Sequence, residues 1–77
     1  MNKQRRKAIE AIIERLDSCR AELEEIRDEE QECFDNGSEG LQATEKYQQI
    51  EENAYDLDTA VGDLESLIGS LQEIIDR

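Results

Sequence analysis

Large apolar residues recur along this chain at alternating steps of three and four. From Ile9 the series runs through Ile12, Leu16, Cys19, Leu23 and Ile26, then past Glu30 to Cys33. From Tyr47 it runs through Ile50, Ala54, Leu57, Val61, Leu64, Ile68 and Leu71 to Ile75. Such steps place side chains on one stripe of an α-helix and mark a heptad seam. The spacing predicts two long helices, over about 3–34 and 44–76. Between them Asp35-Asn36-Gly37-Ser38-Glu39-Gly40 concentrates turn formers, so residues 35–43 are expected to reverse the chain. Asn36 or Gly37 would end the first helix in the left-handed conformation, and Ser38 or Thr44 would cap the next. Leu41 is expected to plug the loop end against Phe34 or Tyr47, with a short helical turn over 40–43.

Antiparallel helices joined by one loop pair positions whose numbers add to a constant. The constant 80 matches the two seams layer by layer, from Ile9 with Leu71, through Leu16 with Leu64 and Cys19 with Val61, to Cys33 with Tyr47. The predicted fold is therefore all-α: one domain over 1–77, an antiparallel two-helix hairpin of coiled-coil character. In that register Arg20 and Arg27 flank the seam opposite Asp58 and Glu51. The other flank turns apolar near the free ends of the helices, where Ile9, Ile13, Leu67 and Ile74 widen the cluster beyond what one partner helix covers. A hairpin of this size has little closed core, so those four residues are the expected interface of a homodimer, a four-helix bundle with its loops distal. The same patch could instead receive a different protein.

Charge sharpens the picture. The chain has 9 basic and 21 acidic side chains, a net charge of −12, and neither histidine, proline nor tryptophan. Leu, Ile, Val and Phe together number 17 of 77, a proportion at which high charge usually means disorder; the regular spacing argues for helices instead. A histidine-centred catalytic site and a zinc finger of the Cys2His2 type are excluded, and no catalytic motif occurs, so no enzyme activity, cofactor or metal is expected. No apolar run reaches the ~20 residues of a membrane span. The two cysteines lie 14 residues apart on one helix, about 21 Å at the rise of a helix, too far to bridge. Free thiols and the lack of a leader pattern give a cytoplasmic expectation. The basic cluster Lys3, Arg5, Arg6 and Lys7 is expected to sit beside Glu73, Asp76 and the end of the second helix. Nucleic-acid binding is disfavoured by the surrounding negative charge and the absence of an aromatic platform. A third possibility, capture of a small nucleotide signal by an oligomer, requires those basic segments to converge.

Seven of the eleven residues from Glu22 to Glu32 are carboxylates. Glu24, Glu25, Asp28, Glu32 and Asp35 form the candidate acidic face, suited to a partner protein with a basic surface. Glu30 is the one polar seam position, a register-fixing layer or a frayed end. A second candidate face runs down the outside of the second helix through Tyr55, Thr59, Gly62, Ser66 and Gly69, nearly uncharged, with Tyr55 as its anchor.

The segment Asp28-Glu29-Glu30-Gln31-Glu32-Cys33-Phe34-Asp35-Asn36, followed by Ser38-Glu39, Leu41-Gln42 and Glu45, resembles small acidic helical proteins of bacteriophages and prophages. Such proteins carry proline and a longer apolar residue where this chain has Gly37-Ser38, which implies a looser turn here. The resemblance implies a non-enzymatic inhibitor of a host defence protein, acting in the host cytoplasm through the acidic face. The competing expectation is a structural or assembly adaptor that binds through its apolar end and the uncharged stripe.

Overall fold

The computed structural model describes residues 1–77. Helix α1 spans Lys3–Asp35, α2 is the single turn Glu39–Gln42, and α3 spans Glu45–Ile75; there is no strand. Each helix starts on a polar cap that occupies an otherwise free backbone N–H. Asn2 Oδ1 accepts from Arg5 N–H at 2.8 Å, Ser38 Oγ from Leu41 N–H at 3.3 Å, and Thr44 Oγ1 from Tyr47 N–H at 3.4 Å. No proline interrupts the long helices, and α1 and α3 run against each other as an extended antiparallel hairpin. The molecule measures 59 × 15 × 13 Å, with a radius of gyration of 17.4 Å. A globular chain of this length would have a radius near 11.5 Å, so the hairpin is a rod.

The turn differs from expectation in its mechanism. No residue has a positive φ, and α1 ends on Asn36 in the right-handed region, at φ −79°. Its N–H donates to Glu32 O at 3.0 Å, and Gly37 N–H donates to Phe34 O at 3.1 Å. Gly37 is needed for space rather than for backbone freedom. A Cβ there would overlap the Tyr47 ring, lying 2.9 Å from Cδ2. Leu41 does not plug the loop, since its side chain is exposed. The closure comes from Gln42, whose Nε2 donates to Phe34 O at 3.0 Å, and from Gln48, whose Nε2 donates to Gln42 O at 2.7 Å.

The seam of α3 is the predicted one: Ala54 and Val61 are buried, and Tyr47, Ile50, Leu57, Leu64, Ile68, Leu71 and Ile75 are half-buried. The seam of α1 is rotated. Ile9, Leu16, Leu23 and Glu30 keep their places, but the positions between them are Ile13, Arg20, Arg27 and Phe34, while Ile12, Cys19, Ile26 and Cys33 are exposed. The register moves with it. Glu30 Oε2 accepts from Asn53 Nδ2, whose numbers add to 83; Gly37 lies on Tyr47, adding to 84; Arg27 pairs with Asp58, adding to 85. About 84, the inward series Ile9, Ile13, Leu16, Arg20, Leu23, Arg27, Glu30, Phe34, Gly37 aligns with Ile75, Leu71, Ile68, Leu64, Val61, Leu57, Ala54, Ile50, Tyr47 at every step. The expected constant of 80 was one helical turn short.

Two physical reasons account for the rotation. At the loop end, Phe34 rather than Cys33 enters the seam, and an aromatic ring removes far more apolar area from water than a thiol. Along the rod, arginine serves as an apolar residue up to its last atoms: its methylene stem can lie along the seam while the guanidinium reaches the edge. The side chains of Arg20 and Arg27 are 22% and 26% exposed.

Gly37→Ala is therefore expected to destabilise the hairpin by ~1–3 kcal/mol, the usual cost of forcing a group into occupied space. Beyond their own helical turn, Gly62 and Gly69 have open space where a methyl group would stand, so alanine at either is expected to stabilise the helix by up to ~1 kcal/mol. Urea titrations followed by circular dichroism measure all three, and equal effects at Gly37 and Gly62 would contradict the close approach of Tyr47.

Candidate functional site

A seam one stripe wide divides the rest of the surface into two sides. On one, Ile26 and Glu30 of α1 meet Asn53, Asp56 and Leu57 of α3 around an open groove of about 470 Å³. On the other, Arg27, Asp28 and Gln31 meet Glu51, Tyr55 and Asp58 around a groove of about 290 Å³. The two sides differ in chemistry.

The second side is acidic and aromatic. Tyr55 is 72% exposed and shares its groove with the carboxylates Asp28, Glu51 and Asp58. The acidic face and the Tyr55 stripe, separate alternatives in the sequence, thus touch at Asp28, the residue of the predicted acidic face that lines this groove. Of the predicted acidic residues, Glu25, Asp28, Glu32 and Asp35 are exposed and Glu24 is half-buried. Asp35 accepts from Gln31 Nε2 at 3.0 Å. Thr59, Gly62, Ser66 and Gly69 continue outward from Tyr55 and are all exposed; no backbone of this chain approaches the two glycines.

Only two cations answer these carboxylates. Arg20 pairs within α1, with Asp17 at 3.0 Å and Glu24 at 2.8 Å, rather than with Asp58. Arg27 bridges to Asp28 at 3.0 Å and across the hairpin to Asp58 at 2.8 Å, rather than to Glu51. Donating hydrogen bonds to Asp17 and then Glu24 raises the pKa of Arg20 further, and donating to Asp28 and then Asp58 does the same for Arg27. Both guanidiniums are fixed cations whose ends are already engaged. The remaining carboxylates make no ion pair, and no three of the cysteine, aspartate and glutamate side chains come together in a way that could hold a metal ion.

The first side carries an apolar band beside the polar groups Glu30, Asn53 and Asp56. The residues left outside the rotated seam, Ile12, Cys19, Ile26 and Cys33, follow one another at intervals of seven. On α3 they are accompanied by Ala60, Leu67 and Ile74 at the same interval. Ile12 is 39% exposed, and Ile26 and Leu67 are each 48% exposed. The dimer residues proposed from sequence are redistributed. Ile13 is buried inside the hairpin and cannot contribute, Ile9 lies on the seam, and only Leu67 and Ile74 fall on this band. The sequence signal for the band was the second periodic series on α1, which competed with the true seam for the same role.

The basic cluster at the start of α1 does not do what was expected of it. All four ion pairs in the molecule involve Arg20 or Arg27, so Lys3, Arg5, Arg6 and Lys7 make none with Glu73 or Asp76. Arg6 is half-buried, and its Nε is covered and lacks a hydrogen-bond acceptor. No helix is long and apolar enough to cross a membrane.

If Arg27 serves the seam mainly through its stem, Arg27→Met should leave the melting temperature close to that of the parent and Arg27→Ala should lower it clearly. Thermal melts of the two variants compare stem with charge, and equal losses in both would assign the role to the ion pairs. Against known proteins, the chain matches no family model, no curated protein and no solved structure.

Proposed function

We propose that this chain is a non-enzymatic protein-binding rod whose acidic, aromatic side receives a basic segment of another protein. The observation that carries the reading is the exposed Tyr55 ring set among Asp28, Glu51 and Asp58. An arginine or lysine placed there would meet a π face and several carboxylates together, and cation–π contact at an exposed ring is worth ~0.5–1 kcal/mol. The wider field supports it: Glu25, Glu32 and Asp35 stay exposed around the loop-proximal half, and the net charge of −12 would speed encounter with a cationic surface. Occupying a surface that otherwise takes phosphates is one way such a rod would inhibit its partner; the inhibitor role itself rests on the resemblance to phage proteins.

The second reading, an assembly adaptor, is favoured by a separate observation, the apolar band through Ile12, Ile26 and Leu67. The two readings use opposite sides and are compatible in one molecule.

Capture from bacterial lysate on the intact chain, on Tyr55→Ala and on a form with Glu25, Asp28 and Glu32 changed to lysine tests the acidic side. A partner bound by the intact chain should be lost from the charge-reversed form and its affinity reduced about two- to fivefold by Tyr55→Ala, and raising salt should release it. Retention of that partner by both variants at physiological salt would overturn the proposal.

A further inference from the structure

We propose that the apolar side is the seat of a second copy of this chain, packed antiparallel about a two-fold axis at the level of Cys19, with α1 lying along the α1 of the second copy. This deepens the reading of the chain as an interaction rod and concerns the side opposite Tyr55.

Area calls for a partner of about this size. The chain exposes 5747 Å² for 8.9 kDa. Folded monomers of that mass expose about 4,800 Å². The excess, on the order of 900 Å², is close to the ~800 Å² that each partner buries in a standard interface. The band supplies the apolar part of such an interface: Ile12, Cys19, Ile26, Ala60 and Leu67 are all exposed, with Arg15, Glu22 and Asp63 between them at helical spacing.

Pattern and charge choose the arrangement. Ile12 and Ile26 stand seven residues either side of Cys19, so an axis there lays each on the other's counterpart and Cys19 on itself. In α1 the facing numbers then add to 38. Residues 3–7, with their four unpaired cations, fall at the level of residues 31–35 of the second copy, next to Glu30, which lines the groove on this side. Arg15, also without an ion pair, falls beside Glu22 of the second copy. In the hairpin register Cys19 is level with residue 65, so the two copies of Leu67 meet close to the same axis. A parallel arrangement would instead lay α1 on α3 of the second copy and bring Glu22 against Asp63 and Glu29 against Asp56, crowding both acidic halves at one end. The antiparallel dimer separates them and leaves both Tyr55 grooves outside. It also holds the two basic segments ~40 Å apart at the rise of a helix, which is incompatible with their converging on one small nucleotide.

Light scattering and cross-linking of the full-length chain test this together. The mass at tens of micromolar should be twice 8.9 kDa. With Cys33→Ser, leaving Cys19, a short bis-maleimide should link most of the protein into dimers; with Cys19→Ser, leaving Cys33, it should link almost none, because the two Cys33 thiols would stand ~40 Å apart. Ile26→Glu should reduce the mass to one chain with helicity retained. Should that variant unfold, Arg15→Glu and Glu22→Arg offer a second route: each alone should weaken the dimer, and the two combined should restore it. A single-chain mass for the parent, or linking through Cys33 in preference to Cys19, would overturn the proposal. A monomer that still binds a basic partner through Tyr55 would overturn the dimer alone, whereas a dimer that binds none would leave it standing without the acidic-side reading.

Discussion

Two helices joined by a short turn can bury one stripe on each, and whatever lies beside that stripe stays in water. In this molecule the constraint is felt on α1, where two periodic series share Ile9, Leu16, Leu23 and Glu30 and differ in what comes between. One alternative inserts Ile12, Cys19, Ile26 and Cys33; the other inserts Ile13, Arg20, Arg27 and Phe34. The hairpin uses the second, and Ile12, Ile26 and the two thiols are left outside. The exposed apolar side is thus a consequence of how the hairpin closes. It follows from the register, and the register follows from the turn, where Gly37 fits under Tyr47 and Gln42 holds the carbonyl of Phe34.

How far the fold can be read from the sequence depends on how each residue type uses its atoms. The α3 seam was legible in full because every inward position from Tyr47 to Ile75 is apolar and its neighbours are mostly polar. The caps Ser38 and Thr44 were legible because a hydroxyl before a helical run has one obvious backbone partner. On α1 the apolar count misled, since it scores Cys19 and Ile26 as core and Arg20 and Arg27 as surface. An arginine at a seam position contributes a methylene stem comparable to a small aliphatic side chain, and hydropathy, which weighs the whole residue by its charge, conceals that. The register error has the same origin, because the constant 80 aligns the wrong α1 series as smoothly as 84 aligns the right one. Gly37 was legible as a turn residue, but its reason, contact with a ring ten residues on, belongs to tertiary packing.

The electrostatics were legible as an amount and not as an arrangement. Counting carboxylates from Glu22 to Glu32 located the acidic half, but whether Tyr55 belonged with them depended on the register. Once Arg27 reaches Asp58, the tyrosine shares a groove with Asp28, and the two faces touch there. The same ion pairs consume the two arginines on that side, while the cations near the start of α1 remain unengaged. The rod is consequently polarised along its length, basic at one end and acidic toward the loop.

Lengthwise polarity and a sidewise division between apolar and acidic surfaces impose different requirements, and they act together. A lengthwise dipole favours any contact in which a neighbour lies head to tail, whichever side is used. The apolar band restricts close contact to one side, because covering Ile26 and Leu67 removes hydrocarbon from water, whereas covering the Tyr55 side with a like molecule would press carboxylate against carboxylate and strip them of hydration. On the proposed reading, a second copy of the chain would be repelled from the side that suits a cationic partner and accepted on the side that does not. The two proposed contacts would then not compete, because the rotated seam of α1 sets their surfaces on different sides of the rod.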